Sequence, residues 1–334
     1  MSRAARVSPA ALVALALAAS IWATPFFLAT TFIGDDHVFL AFARHAPNPF
    51  VAFVRDQHGG EFYRPLPMLA WWALGRAGAA WPFALLALAL HGTAAGLVGA
   101  LVTTLGRGRG AALVAAALFA LAPQNLEAAY WYAASTDLLA TTFTLASLVV
   151  LARRPGGLAS SALALAAYLS KESALVLPGL ALVVLGAAPT PGSWRWRLAR
   201  VSPHAALAAI VLVVRFRVLG GWGGSGDPVT PLAGRLLQLG SGLVHVGTGD
   251  AFLPEALAWG AGACALALLV LAAVRDARGA APLLFTAVGL APLLAAGWVV
   301  GARYFYLPAV GLAWAAGAAL STRSRAAVLT LCAT

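Results

Sequence analysis

The sequence predicts an all-α, polytopic transmembrane protein of about 10–11 helices, a single domain over residues 1–334. Three observations carry that prediction. The chain is 61% hydrophobic and only 10% charged, with a mean hydropathy of +0.86. Apolar runs of about 20 residues, the length that crosses a bilayer, recur along the whole chain. Short arginine clusters separate those runs, as cytoplasmic loops do.

The elements follow in order. Arg3 and Arg6 ahead of the apolar run Val7 to Phe32 read as an uncleaved signal anchor rather than a cleaved signal peptide, because more spans follow. Asp35 then emerges on the non-cytoplasmic side. The outer loop 34–76 comes next. Its apolar pieces are too short to cross and read as interfacial helices, with Trp71 and Trp72 at interfacial depth. A span from about Trp81 to Leu105 leads to Arg107 and Arg109, and spans around Ala111 to Ala122 and Leu138 to Leu151 lead to Arg153 and Arg154. Two short apolar pieces split by Ser170-Lys171-Glu172-Ser173 precede Arg195, Arg197 and Arg200. A second outer loop, 220–255, opens on a glycine-rich turn and carries an amphipathic piece around Leu232 to Val246. Arg275 with Arg278, then Arg323 with Arg325, complete the cytoplasmic series. The final apolar run, Ala326 to Thr334, stops short of a span, which predicts a truncated product.

This orientation segregates charge. Asp35, Asp36, Asp56, Glu61, Glu127, Asp137, Glu172, Asp227, Asp250 and Glu255 all face outward, leaving Asp276 inside. The chemistry is therefore expected on the outer face. The net charge of +11 does not mark a nucleic-acid binder, because the arginines lie in topological clusters between apolar runs. Cys264 and Cys332 fall inside apolar runs and read as buried thiols. The sequence contains no GK[ST] phosphate loop, no Cys/His zinc spacing and no HExxH, and its histidines are scattered.

Three constellations remain. Asp35 and Asp36 are adjacent carboxylates at the mouth of a membrane helix; mutual repulsion raises one pKa, which suits a base acting on a hydroxyl. The alternative is a cap for the helix beginning near Val38. Lys171, Arg64, Arg215, Arg217 and Arg303 lie outside the cytoplasmic clusters. Each alone reads as half of an ion pair with an outer acid, Glu172 for Lys171 for example; together they suit a phosphate. Glu127, Tyr130, Trp131, Tyr132 and Asp137 combine rings and acids as a sugar-binding surface does, although an aromatic interfacial belt explains the rings equally well.

The order of these pieces is familiar. The acidic pair, Tyr63-Arg64-Pro65-Leu66, Asn125-Leu126-Glu127, Ser135-Thr136-Asp137-Leu138-Leu139, Leu169-Ser170-Lys171-Glu172 and Arg303-Tyr304-Phe305-Tyr306-Leu307-Pro308 run from about Ala23 to Trp314. This pattern resembles the GT-C superfamily of integral-membrane glycosyltransferases, particularly protein O-mannosyltransferases, the tetratricopeptide-bearing transmembrane O-mannosyltransferases and their bacterial relatives. The chain departs from them in lacking a tetratricopeptide array and a carboxy-terminal soluble domain.

The resemblance implies an inverting enzyme that moves a sugar from a polyprenyl-phosphate carrier to a protein, lipid or glycan hydroxyl, in a bacterial inner membrane with a periplasm-facing site. It implies that Asp35 is the base and that Asp36 assists it. Asp36 and His37 are the candidates for a divalent metal, Mg or Mn, where one is used. Arg64, Lys171, Arg303 and Arg215 would approach the carrier phosphate, and Glu61, Tyr63, Glu127, Asp137 and Tyr304 the acceptor or sugar. A transporter or flippase of a lipid-linked sugar is the rival expectation, favoured by the broken helix near Lys171.

Overall fold

The computed structural model describes residues 31–56, 61–122, 125–189, 192–223, 231, 279–296 and 301–321. Nearly all of the predicted anchor, most of the second outer loop, Arg275, Arg278, both cysteines and the terminal apolar run lie outside the described residues. Within them, all regular structure is helical, with no strand.

The outer loop holds α1 (Asp36–His45), a 3-10 turn (Pro49–Phe53) and α2 (Pro65–Gly75). Neither helix is long enough to cross a bilayer, as the sequence predicted. Then come α3 (Trp81–Thr104), α4 (Arg109–Leu121), α5 (Asn125–Tyr130), a 3-10 turn (Tyr132–Ala134) and α6 (Ser135–Arg153). The chain continues through α7 (Leu158–Tyr168), a 3-10 turn (Glu172–Val176), α8 (Leu177–Ala187) and α9 (Trp194–Leu219). Last are α10 (Ala280–Ala296), a 3-10 turn (Ala302–Phe305) and α11 (Ala309–Ser321).

Among the described residues, three helical stretches are long and apolar enough to cross a membrane: Trp81–Thr104, Tyr132–Arg153 and Trp194–Leu219. Local chemistry fixes their ends. Pro82 occupies the first turn of α3, where a missing N–H costs nothing, and Gly106 takes the left-handed conformation just beyond its end. In α9 the Ser193 side chain accepts from Trp196 N–H at the start, and Gly220, at φ +68, closes the end.

Helix packing relies on small residues. A side chain on Gly317 of α11 would collide with the Ala111 carbonyl and with Ala115 of α4, so the glycine lets those backbones touch. Trp71 corrects one expectation. It is not at the interface but fully buried, 4.3 Å from the Phe83 ring, with Nε1 donating to Ser135 Oγ at 3.1 Å. A buried indole N–H must find an acceptor, and Ser135 at the start of α6 supplies it.

The predicted separation of charge appears as two ends of the bundle. At one, Phe83 meets Tyr132 at 5.9 Å and the loops after α1, α5, α7 and α10 converge. All seven described acids belong to this end. At the other, Arg153 Nε donates to Thr104 Oγ1 at 3.2 Å, Arg197 Nε donates to the Gly192 carbonyl, and Pro189 lies against Gly106.

Candidate functional site

The acidic end holds a cluster of four cations brought from four separate segments. Lys171 lies at the break between α7 and α8, where the chain leaves helical geometry for an extended residue (φ −161, ψ 145) before the 3-10 turn. Its ammonium sits 2.7 Å from both carboxylate oxygens of Asp137, in the first turn of α6, and only 3% of the residue is exposed. Arg64, capping α2, donates from Nε and Nη2 to the two oxygens of Glu172, at 3.0 and 2.5 Å. Arg303 donates from its backbone N–H and from Nη1 to Glu127, at 2.8 and 2.6 Å.

The pairing differs from the sequence expectation. Glu172 is not the partner of Lys171 despite adjacency; consecutive residues on extended backbone point apart, so each finds an opposite charge from a distant segment. Glu127, Asp137 and Glu172 each hold a cation, as membrane-embedded charges generally do.

Arg215, near the end of α9, is held differently. Its Nη1 is 3.6 Å from Glu172, beyond hydrogen-bond reach, and this buried nitrogen has no hydrogen-bond partner among the described residues. Its Nη2 reaches the carbonyls of Glu61 and Trp222, at 3.3 and 3.4 Å. Glu61 therefore meets the cluster through its backbone. Four cations against three carboxylates leave this group of side chains with one positive charge.

Aromatic rings tie the cluster together. Tyr304 carries Lys171 over its ring at 4.6 Å and Arg303 at 4.6 Å, while Trp131 carries Arg303 at 4.1 Å. Burial raises the Tyr304 phenol above its ordinary pKa, against the pull of Arg303, so the group stays protonated. Trp131 Nε1 is also buried without a partner among the described residues. The sequence offered Trp131 for sugar stacking; its observed role is as a platform for an arginine. Phe62, which no motif signalled, lies 4.0 Å under the Arg64 guanidinium.

The acidic pair divides. Asp35 is exposed, and as the residue before α1 it makes no side-chain capping bond. Asp36 is completely buried, its Oδ2 accepting from Ile33 N–H at 2.9 Å and its Oδ1 from Ala133 N–H at 2.6 Å. Burial pushes its carboxyl up to about 6, the two backbone bonds pull it down, and the charge of Asp35 contributes least. Mutual repulsion, the sequence argument, is thus the smallest of the causes. Gly34, the neighbour of Asp35, packs against the Trp131 ring that carries Arg303.

Two further expectations change. Tyr63 turns its hydroxyl inward to donate to the Phe53 carbonyl at 3.2 Å, bracing the outer loop rather than facing an acceptor. Asp36 and His37 do not form a metal pair. Successive residues on a helix diverge by about 100°, placing Asp36 in the core and His37 in solvent. Both Asp36 oxygens already take backbone N–H groups, so its donor set does not fit a divalent ion.

The described residues are thus all-helical in their regular structure, with three helices of membrane-spanning length and a paired charge cluster at one end. No protein-family model matches the chain, and no curated protein matches it.

Proposed function

We propose that the protein is an inverting glycosyltransferase of the GT-C kind, moving a sugar from a polyprenyl-phosphate carrier to a hydroxyl acceptor at the acidic end. The observation that carries this reading is the pair of buried donors there without a hydrogen-bond partner among the described residues, Arg215 Nη1 and Trp131 Nε1, in a cluster of net positive charge. Buried donors without partners cost about 1–3 kcal/mol each, and an oxygen-rich anionic ligand removes that cost.

In this reading the acceptor oxygen attacks the anomeric carbon while Asp35 takes its proton. The bond from that carbon to the phosphate oxygen breaks with inversion, and the electron pair leaves on the polyprenyl phosphate. Arg64, Lys171 and Arg303 stabilise the growing charge without reorganising, because their carboxylate partners and rings already hold them, while Arg215 binds the carrier phosphate alike before and during transfer. Phosphate leaves readily, so one base suffices. Asp36 positions that base by pinning the start of α1 to Ala133.

About ten or eleven spans, a bacterial inner membrane and a periplasm-facing site complete the proposal. The transporter reading draws on one observation, the break at Lys171 between two helices of 11 residues each. Transfer of radiolabelled sugar from polyprenyl-phosphate donors, wild type beside Asp35→Asn, separates them. Turnover that the substitution lowers by at least about 100-fold is expected. Donor binding without turnover in either protein favours transport, and equal turnover in both removes Asp35 as the base.

A further inference from the structure

The opposite end of the bundle carries a second, separate constellation. Arg109, Arg153, Arg154, Arg195, Arg197 and Arg200 gather there, and no acid among the described residues accompanies them. Such a concentration of one sign is unfavourable unless an anion accepts it.

Three details show a formed seat. Arg200 lies over Gly156 in the turn between α6 and α7, linking it to the start of α9, with Trp196 5.6 Å away. Gly156 is at φ +98, and a side chain there would collide with Arg200 Nη1. Arg153, exposed at the end of α6, is anchored through Nε alone, which leaves its terminal nitrogens directed away from that bond. Arg109 Nη2 is buried and has no hydrogen-bond partner among the described residues.

The apolar neighbours identify the occupant. Leu158 is 89% exposed, Trp194 59% and Leu198 44%, interleaved in sequence with Arg154, Arg195 and Arg200. A free phosphate or a polyanion would cover the arginines alone. An anionic head joined to an acyl chain covers both kinds of surface at once. We propose that this end binds the headgroup of an anionic phospholipid, such as phosphatidylglycerol, seated between the α6–α7 turn and the start of α9. The inference does not depend on the proposed transferase activity.

The test is native mass spectrometry of the purified protein in neutral detergent, titrated with phosphatidylglycerol or phosphatidylcholine, with inorganic phosphate as a third arm. Phosphatidylglycerol should be retained preferentially. The triple variant Arg153→Gln, Arg154→Gln, Arg200→Gln should weaken that retention at least tenfold, since each arginine near an anionic surface contributes about fivefold. A charge-matched control, Arg44→Gln, Arg55→Gln, Arg76→Gln, alters the other end and should leave it unchanged. Should the first triple variant fail to fold, its lysine counterpart, which keeps the charge, should retain binding, whereas Gly156→Ala, which displaces Arg200, should lower it. Equal retention of both lipids, equal loss in the two glutamine variants, or full competition by phosphate would overturn the proposal.

Discussion

The Lys171 ammonium lies 2.7 Å from each carboxylate oxygen of Asp137, and both side chains are almost completely enclosed. Such a pair is held by mutual need: removing one charge strands the other in a medium that solvates it poorly. Lys171→Met alone should therefore destabilise the fold by about 3–5 kcal/mol. The double variant Lys171→Met, Asp137→Leu should recover most of that loss and still lack transfer. Unfolding in a denaturing detergent, read beside turnover, checks both. Transfer by the stable double variant would reduce the pair to a structural element.

The Arg303 guanidinium lies 4.1 Å from the Trp131 ring centroid and 4.6 Å from that of Tyr304, while Nη1 donates to Glu127. A planar guanidinium can lie over an aromatic face and still direct its donors in plane to a carboxylate, which a lysine ammonium cannot do. Arg303→Lys keeps the charge and should still lower kcat/KM at least about tenfold. Trp131→Leu should produce a similar loss by removing the platform. Steady-state transfer assays on the two variants decide the point, and wild-type turnover in Arg303→Lys would show that charge alone matters.

Much of this arrangement is legible in the sequence. Apolar runs locate α3, α6 and the split pair α7 and α8, because hydropathy and length are local properties. Charge segregation is legible too, since arginine clusters mark one end by composition alone. Pairing is not. Lys171 joins Asp137 instead of adjacent Glu172, and that choice depends on how α6 approaches the break, across a sequence separation of 34 residues. The fate of Asp36 is equally hidden. Whether a carboxylate caps, reacts or pins depends on which backbone N–H groups reach it, and Ala133 lies 97 residues away. Trp71 looks interfacial by residue type, but Phe83 and Ser135 enclose it.

Asp36 gives the protein a pH signature. Its carboxyl is raised from 3.8 to about 6, so the folded state binds a proton more tightly than the unfolded chain. For an acid with a raised pKa, the stabilising contribution is present below the unfolded value and is lost as pH rises through the folded one. Stability should consequently fall between about pH 4 and pH 6, by at most about 3 kcal/mol. In Asp36→Asn that slope should vanish, and the fold should be weaker by about 1–3 kcal/mol, because the amide cannot accept from both Ile33 and Ala133. Thermal unfolding at pH 4 and pH 7 measures each effect; an unchanged slope in the variant would assign it to other groups.

Arg64 and Arg215 share Glu172 unequally, and the inequality predicts different phenotypes. Arg64 makes two hydrogen bonds to that carboxylate, whereas Arg215 stands 3.6 Å off with one buried donor unused. Arg64→Ala breaks an enclosed pair and should lose both stability, by about 3 kcal/mol, and activity. Arg215→Gln leaves Glu172 its two hydrogen bonds from Arg64 and should therefore destabilise the fold less than Arg64→Ala. Its loss should appear in donor recognition, as a KM raised about tenfold with kcat less affected, the mark of binding common to ground and transition states. Titration of donor against both variants, alongside their unfolding curves, tests the distinction. If Arg215→Gln unfolds as readily as Arg64→Ala while its KM stays at the wild-type value, Arg215 serves the fold and the unused donor has no ligand.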